Sequence, residues 1–225
     1  YFNKKDISKS IKFFTLAANQ NFLDAQINLA YIYSKKEYGV NDINKTIHYL
    51  TLAAKQKNKM SIDKLRKIYF NLGAIYYKGQ KVTRDINKSL HYLNLSAELD
   101  LTEAQHNLGV IYYLGQYVEI DIDKAIYYFT KAAEKNNVLS SFVLGFIYFD
   151  KKYKPRDLNK AIQYFSKAAN ENIADAQYYL GVSYFECNLE NPDVNKIIPL
   201  FISAAKKNQL NALFALGIIY YEGFW

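Results

Sequence analysis

Five glycines recur at a fixed spacing of 36 residues: Gly73, Gly109, Gly145, Gly181 and Gly217, each preceded by a leucine. Self-similarity at a period between about 20 and 50 residues is the signature of repeat architectures, in which every repeat packs on its neighbours. The pair Leu29-Ala30 extends the series backwards, but 43 residues separate Ala30 from Gly73. One repeat therefore carries a seven-residue insertion, placed within residues 56–67. Six repeats and this insertion account for almost all of the 225 residues, so 1–225 reads as a single repeat array.

Each repeat is expected to form two helices. The first contains the Leu-Gly pair and is seen at residues 104–113, with copies at 25–33, 68–77, 140–149, 176–185 and 212–221. The second opens on Asp6, Asp42, Asp85, Asp121, Asp157 or Asp193 and closes on an alanine. Aspartate is a favoured N-cap because its carboxylate accepts backbone N–H groups left free at a helix start. Three residues past the closing alanine stand Asn21, Asp100, Asn136, Asn172 and Asn208. Asparagine commonly replaces glycine in the left-handed residue that ends a helix.

Five glycines inside helices each cost about 1 kcal/mol relative to alanine. That loss predicts that a missing Cβ lets the second helix approach closely. Small residues recur there too (Ser10, Thr46, Ser89, Ala125, Ala161), so small faces are expected to meet small faces. The expected fold is all-α, a right-handed α-solenoid of six helical-hairpin repeats of about 36 residues.

Composition agrees by exclusion. Three Pro and nine Gly are too few for the turns of an all-β sandwich or barrel. One cysteine excludes a disulfide framework and a Cys-based zinc site. No apolar run reaches the about 18 residues of a membrane-spanning helix. With 50% apolar residues the chain can bury a large core, unlike a disordered segment.

The string Leu-Gly-x-x-Tyr followed by Ala-x-x-x-Phe, as in Ala125 to Phe129 and Ala161 to Phe165, is similar to the tetratricopeptide pattern, but the period is longer. Residues 104–133 add Gly115, Val118 and Asp121 in the connecting loop. This arrangement resembles the Sel1-like repeat family, and residues 70–97 carry it almost as well. Departures are Ala30 for glycine, Pro199 inside the last second helix, and Lys81, Tyr117, Tyr153 and Leu189 at a loop position where the family often has a further glycine. The resemblance implies a non-catalytic adaptor that holds other proteins together, often in signalling or protein quality control.

No constellation of side chains supports chemistry. His48 and His91 occupy the same repeat position and are separated by repeat translation, and His106 has no metal-ligand spacing. Cys187, expected in the loop after Phe185, has no His or Asn pattern around it. The glycines lie within helices and so cannot cradle phosphate. Capping accounts for the six aspartates. No catalytic residue, metal or cofactor is expected.

The strongest functional signal is a second apolar stripe on the first helix, opposite the core side. His106, Val110 and Tyr113 follow i, i+4, i+7 spacing, with Phe70 and Tyr77, Phe142 and Phe149, Tyr178 and Phe185, and Phe214 and Tyr221 as equivalents. A helix apolar on both sides is buried on both or leaves one face for a partner, and both readings stand here. First helices usually line the concave side of such solenoids, where an aromatic groove could anchor a protein or peptide.

Charge is uneven. Residues 1–90 hold 17 Lys/Arg against 6 Asp/Glu, and the remainder 12 against 15. The excess gathers at Lys55, Lys57, Lys59, Lys64, Arg66 and Lys67 and in the loops at Lys35-Lys36 and Lys78 to Arg84. Such a patch could attract an acidic partner. Nucleic acid is disfavoured, because 26 of the basic residues are Lys and only 3 are Arg, whose planar fork suits phosphate and bases. An alternative role is the regulatory repeat region of a larger enzyme such as a protein kinase. The chain does not begin with Met and neither end carries a polar cap, so it is expected to be a window on a longer protein. With one cysteine and no visible signal, a cytoplasmic location is expected.

Overall fold

The cap signals and the 36-residue period translate directly into backbone. A computed structural model describes residues 6–79, 82–152 and 154–223; Lys81 and Tyr153 lie outside these. Among the described residues there are twelve α-helices and no strand. In chain order they are α1 (Ile7–Asn19), α2 (Leu23–Ser34), α3 (Ile43–Lys55), α4 (Lys59–Lys78), α5 (Ile86–Glu98), α6 (Thr102–Leu114), α7 (Ile122–Glu134), α8 (Val138–Phe149), α9 (Leu158–Asn170), α10 (Ala174–Cys187), α11 (Val194–Ala205) and α12 (Leu210–Glu222). Even-numbered helices hold the Leu-Gly or Leu-Ala pair, and odd-numbered ones follow the aspartates. Cys187 ends α10 instead of lying in the next loop.

The described chain forms two compact units, Tyr1–Ala104 and Gln105–Trp225. Each is a stack of helical hairpins, the packing of an α-solenoid.

Five aspartates cap as their chemistry requires. Asp6, Asp42, Asp85, Asp121 and Asp157 each accept the N–H three residues on, at 2.9–3.0 Å. Asp193 departs from the expectation: it makes no side-chain cap and instead pairs with Lys196 at 3.0 Å. The residue three past each aspartate is a lysine. Lys45, Lys88, Lys124 and Lys160 each pair with their aspartate and lie 4.9–5.4 Å from the centroid of Tyr33, Tyr76, Tyr112 or Tyr148. Each of these rings stacks on a tyrosine of the following helix, for example Tyr112 on Tyr128 at 5.9 Å. Helix ends also follow the sequence. Asn21, Asp100, Asn136, Asn172 and Asn208 have φ between 61° and 70°, and Lys57 adopts the same conformation.

Small faces do meet at Gly73, where the Ser89 hydroxyl donates to the glycine carbonyl at 2.8 Å, and the glycines also take large side chains. Over Gly145 sits the ring of Phe165, four residues beyond the small Ala161, and a Cβ built on Gly145 would lie 2.5 Å from Phe165 Cδ1. Phe129 covers Gly109, Phe201 covers Gly181 and Leu93 covers Gly73 in the same way. Each of these four glycines is thus a socket for a large side chain, and Phe129 and Phe165 are completely buried in theirs. The physical reason is volume. Fully burying an aromatic ring gains about 1.5–3 kcal/mol, more than one helical glycine loses.

One helix stands out by length. Counted from the helix start, the glycine is the eighth residue of α8, α10 and α12 but the fifteenth of α4. Seven residues make almost two full turns, so the faces of α4 stay in register along its length. Its first half buries Leu65 with Ala30 and Leu50, and its second half receives Leu93 on Gly73.

Two outcomes are expected. Gly145→Ala should lower stability by about 1–3 kcal/mol through overpacking. Gly217→Ala, where no atom lies within 4 Å of the new Cβ, should raise it by up to about 1 kcal/mol; urea unfolding compares the two. The carboxyls of Asp85 and Asp121 are held below the ordinary range, first by the N–H of Lys88 and Lys124. Their stabilisation is therefore present above the unfolded value of about 3.9 and lost as pH falls through the lower folded value. Unfolding midpoints followed from about pH 5 to pH 2 should drop less steeply in an Asp85→Asn/Asp121→Asn variant.

Candidate functional site

The predicted stripe residues lie three before and four after each glycine, so they bracket the ring seated on it. His106 and Tyr113 lie 5.7 and 6.4 Å from Phe129, and Phe142 and Phe149 lie 5.9 and 6.2 Å from Phe165. Tyr178 lies 5.7 Å from Phe201. One edge of each of these side chains is therefore fixed by the core, and Phe142 and Phe149 also pack on Tyr179. Phe70, Tyr77, His106, Tyr113, Phe142, Phe149 and Tyr178 are half-buried, and Phe185, Phe214 and Tyr221 are exposed at 45%, 71% and 88%. Phe70 and Tyr77 belong to the first compact unit and the other eight to the second. Arginines cover two of the rings, with Arg84 5.4 Å from Tyr77 and Arg156 4.4 Å from Phe149.

A second position sets apart three of the even helices: the sixth residue of α4, α10 and α12. In α10 this is Tyr179, whose ring is caged by Phe142, Phe146, Phe149 and Phe165 at 5.4–6.3 Å. Burial pushes the Tyr179 hydroxyl pKa up. Beside this cage Arg156 donates to the Phe149 carbonyl at 2.9 Å and pairs with Glu186. In α12 the sixth residue is Ala215. The cage positions are kept as Tyr178, Val182, Phe185 and Phe201, and an apolar cavity of about 210 Å³ remains where a ring would sit. In α4 the sixth residue is Lys64, and a cavity of about 340 Å³ with cationic walls lies against α2 and α3. The sequence reading did not find these sites. Their signal is a single position, tyrosine, alanine or lysine, read against an otherwise constant frame.

Comparison with known proteins bears on this geometry. The Sel1 repeat model matches residues 4–22, 23–58, 69–101, 102–137, 139–173, 174–188 and 210–225, most of the chain. This chain belongs to the Sel1 repeat family. The Sel1 matches leave out residues 59–68, at the start of the long α4, and 189–209, which hold Pro199. The crystal structure of a Sel1 repeat protein from Oxalobacter formigenes is 25% identical, with a TM-score of 0.58 over 95% of this chain and 91% of that one. The protective antigen c5321 of uropathogenic Escherichia coli, displaying an SLR fold, is 22% identical over 94% of this chain and 52% of that one, with a TM-score of 0.47. No curated protein matches the sequence. Sel1 repeat proteins are generally protein-interaction scaffolds and are typically non-catalytic.

The remaining polar groups of this Sel1 array serve its packing. His106 Nδ1 lies 2.8 Å from Ser140 Oγ, and burial lowers the histidine pKa, favouring the neutral ring. His48 and His91 are exposed, each set edge-on to the adjacent tyrosine. Among the described residues no group of three His, Cys, Asp or Glu side chains is gathered where a metal could bind. Nor, among the described residues, is any helix long and apolar enough to cross a membrane. Arg66 binds Asp63 at 2.7 Å, so all three arginines are engaged by groups of the chain itself.

The two apolar grooves of the second unit predict opposite responses. Tyr179→Ala should cost about 1–3 kcal/mol, below the range for a fully buried ring because Tyr179 is half-buried. Ala215→Tyr should be neutral or stabilising by about 1 kcal/mol, because its cage already exists. Unfolding curves of the two variants check this.

Proposed function

We propose that this chain is a non-catalytic scaffold that binds a peptide or another protein along the aromatic stripe of its even helices. The observation that carries the reading is that none of the ten stripe residues is buried, although five of them are fixed along one edge by Phe129, Phe165 and Phe201. Rings held in place but left partly exposed lose little conformational entropy when a partner covers them. Large apolar side chains of this kind are common binding hot spots. His106, Tyr113, Phe142, Phe149, Tyr178 and Phe185 are the proposed anchors in the second unit. Phe214 and Tyr221 continue them on α12, and Phe70 and Tyr77 form a separate pair in the first unit.

The basic surface supports a partner less well. Its arginines are engaged, and Lys67 is partnered by Asp63 at 2.7 Å. Affinity capture from native lysate with the whole chain, compared with a Tyr113→Ala/Phe149→Ala variant, tests the proposal. Recovery of the specific partners should fall at least about tenfold, as for loss of a hot spot, while helical circular dichroism is unchanged. Capture that survives the double substitution contradicts it. Partners lost only at high salt would favour the basic surface instead.

A further inference from the structure

We infer that the cavity beside the start of α4, in the first compact unit, binds a small carboxylate carrying an apolar tail. Its volume, about 340 Å³, falls at the lower end of ligand pockets, about 300–1,000 Å³. Ile27, Ala30, Leu50 and Ile68 supply apolar walls. Ser61 also lines it. That side chain is fully buried, and its hydroxyl has no hydrogen-bond partner. Burying a hydroxyl without a partner is costly, so its retention in an apolar setting points to a group that enters from outside.

The chain supplies its own comparison. Ser140 is the third residue of α8, as Ser61 is of α4, and its hydroxyl lies 2.8 Å from His106 Nδ1. The position of His106 on α2 is occupied by Ile27, which can offer nothing to Ser61. One turn along α4, Lys64 stands where α10 places the Tyr179 plug, and no ion pair holds it among the described residues. Ser61 and Lys64 are spaced i, i+3 and so share one face of the helix.

Around them, Lys67 is paired with Asp63 at 2.7 Å, and Lys35 lies 5.3 Å from the Tyr31 ring centroid. No Asp or Glu lines the cavity. A carboxylate accepting from the Lys64 ammonium and the Ser61 hydroxyl would make two hydrogen bonds, both strengthened by charge. Its hydrocarbon tail would cover the apolar walls. The single ammonium of Lys64 balances a monoanionic carboxylate but only part of the charge of a phosphate, about −1.5 to −2 at neutral pH. This site is separate from the aromatic stripe of the second unit, so either can fail without the other.

Titration of the whole chain with octanoate, followed by NMR, tests the proposal, with octanamide as the neutral control. Octanoate should give saturable shifts at residues around Ser61 and Lys64, and octanamide should bind at least about tenfold more weakly. Lys64→Gln, at an exposed position, should weaken octanoate about tenfold with helicity unchanged. Ile27→His should abolish binding by recreating the His106–Ser140 pair. A parallel arm uses a pentapeptide ending in leucine, with a free or an amidated terminus. Tighter binding of octanoate assigns the site to a free acid, and tighter binding of the free-terminus peptide assigns it to a chain end; either result upholds carboxylate recognition. The inference is overturned if no carboxylate gives saturable shifts, if octanamide binds as well, or if Lys64→Gln changes nothing.

Discussion

The structure depends on one steric arrangement, a large side chain of an odd helix seated on a residue of the even helix that has almost no side chain. Gly73, Gly109, Gly145 and Gly181 take Leu93, Phe129, Phe165 and Phe201, and a Cβ at any of the four would fall within 2.8 Å of its occupant. In the first hairpin, Ala30 and Leu50 share one buried cluster, a slightly larger socket with a smaller occupant. Because socket and occupant are always 20 residues apart, the contact fixes the register of each hairpin. The capping aspartates and the stacked tyrosines then close its loop end.

That constraint divides the positions of each repeat between structure and variation. The glycine or alanine of an even helix, its eighth residue or in α4 its fifteenth, is held small, and the residues bracketing it lean on the seated side chain. The sixth residue differs among α4, α10 and α12. Tyrosine at 179 fills its groove, alanine at 215 leaves an apolar hole, and lysine at 64 leaves a cationic one. A scaffold built this way changes what it can hold by changing one residue per repeat, without disturbing the hairpins. The two extra turns of α4 act in the same sense, since they lengthen a wall while keeping its faces aligned.

Much of this was legible in the sequence because it repeats. The glycine period, the aspartate caps and the asparagine helix ends are local signals, each with its own physical cause, and they agree with one another. What sits on each glycine was not legible. Ala125 and Phe129 are both periodic, and only the packing shows that the ring lies where a glycine Cβ would be. The stripe was found by its helical spacing, but how far each ring is exposed depends on neighbours that spacing does not name. The grooves at residues 64, 179 and 215 were missed because they arise where a repeat differs from its neighbours, and periodicity draws attention to what stays the same. Ser61 was missed for a related reason. Its burial is ordinary, and the absence of a partner follows from Ile27 standing where a later repeat has histidine.

A double-mutant cycle at Gly145 and Phe165 tests the central claim most directly. Phe165→Leu shortens the occupant, and combined with Gly145→Ala it reproduces the pairing of Ala30 with Leu50. If the ring-in-socket contact governs the hairpin, the two changes should compensate, leaving the double variant at least about 1 kcal/mol more stable than the sum of the single effects. Additive losses within about 0.5 kcal/mol would contradict the account.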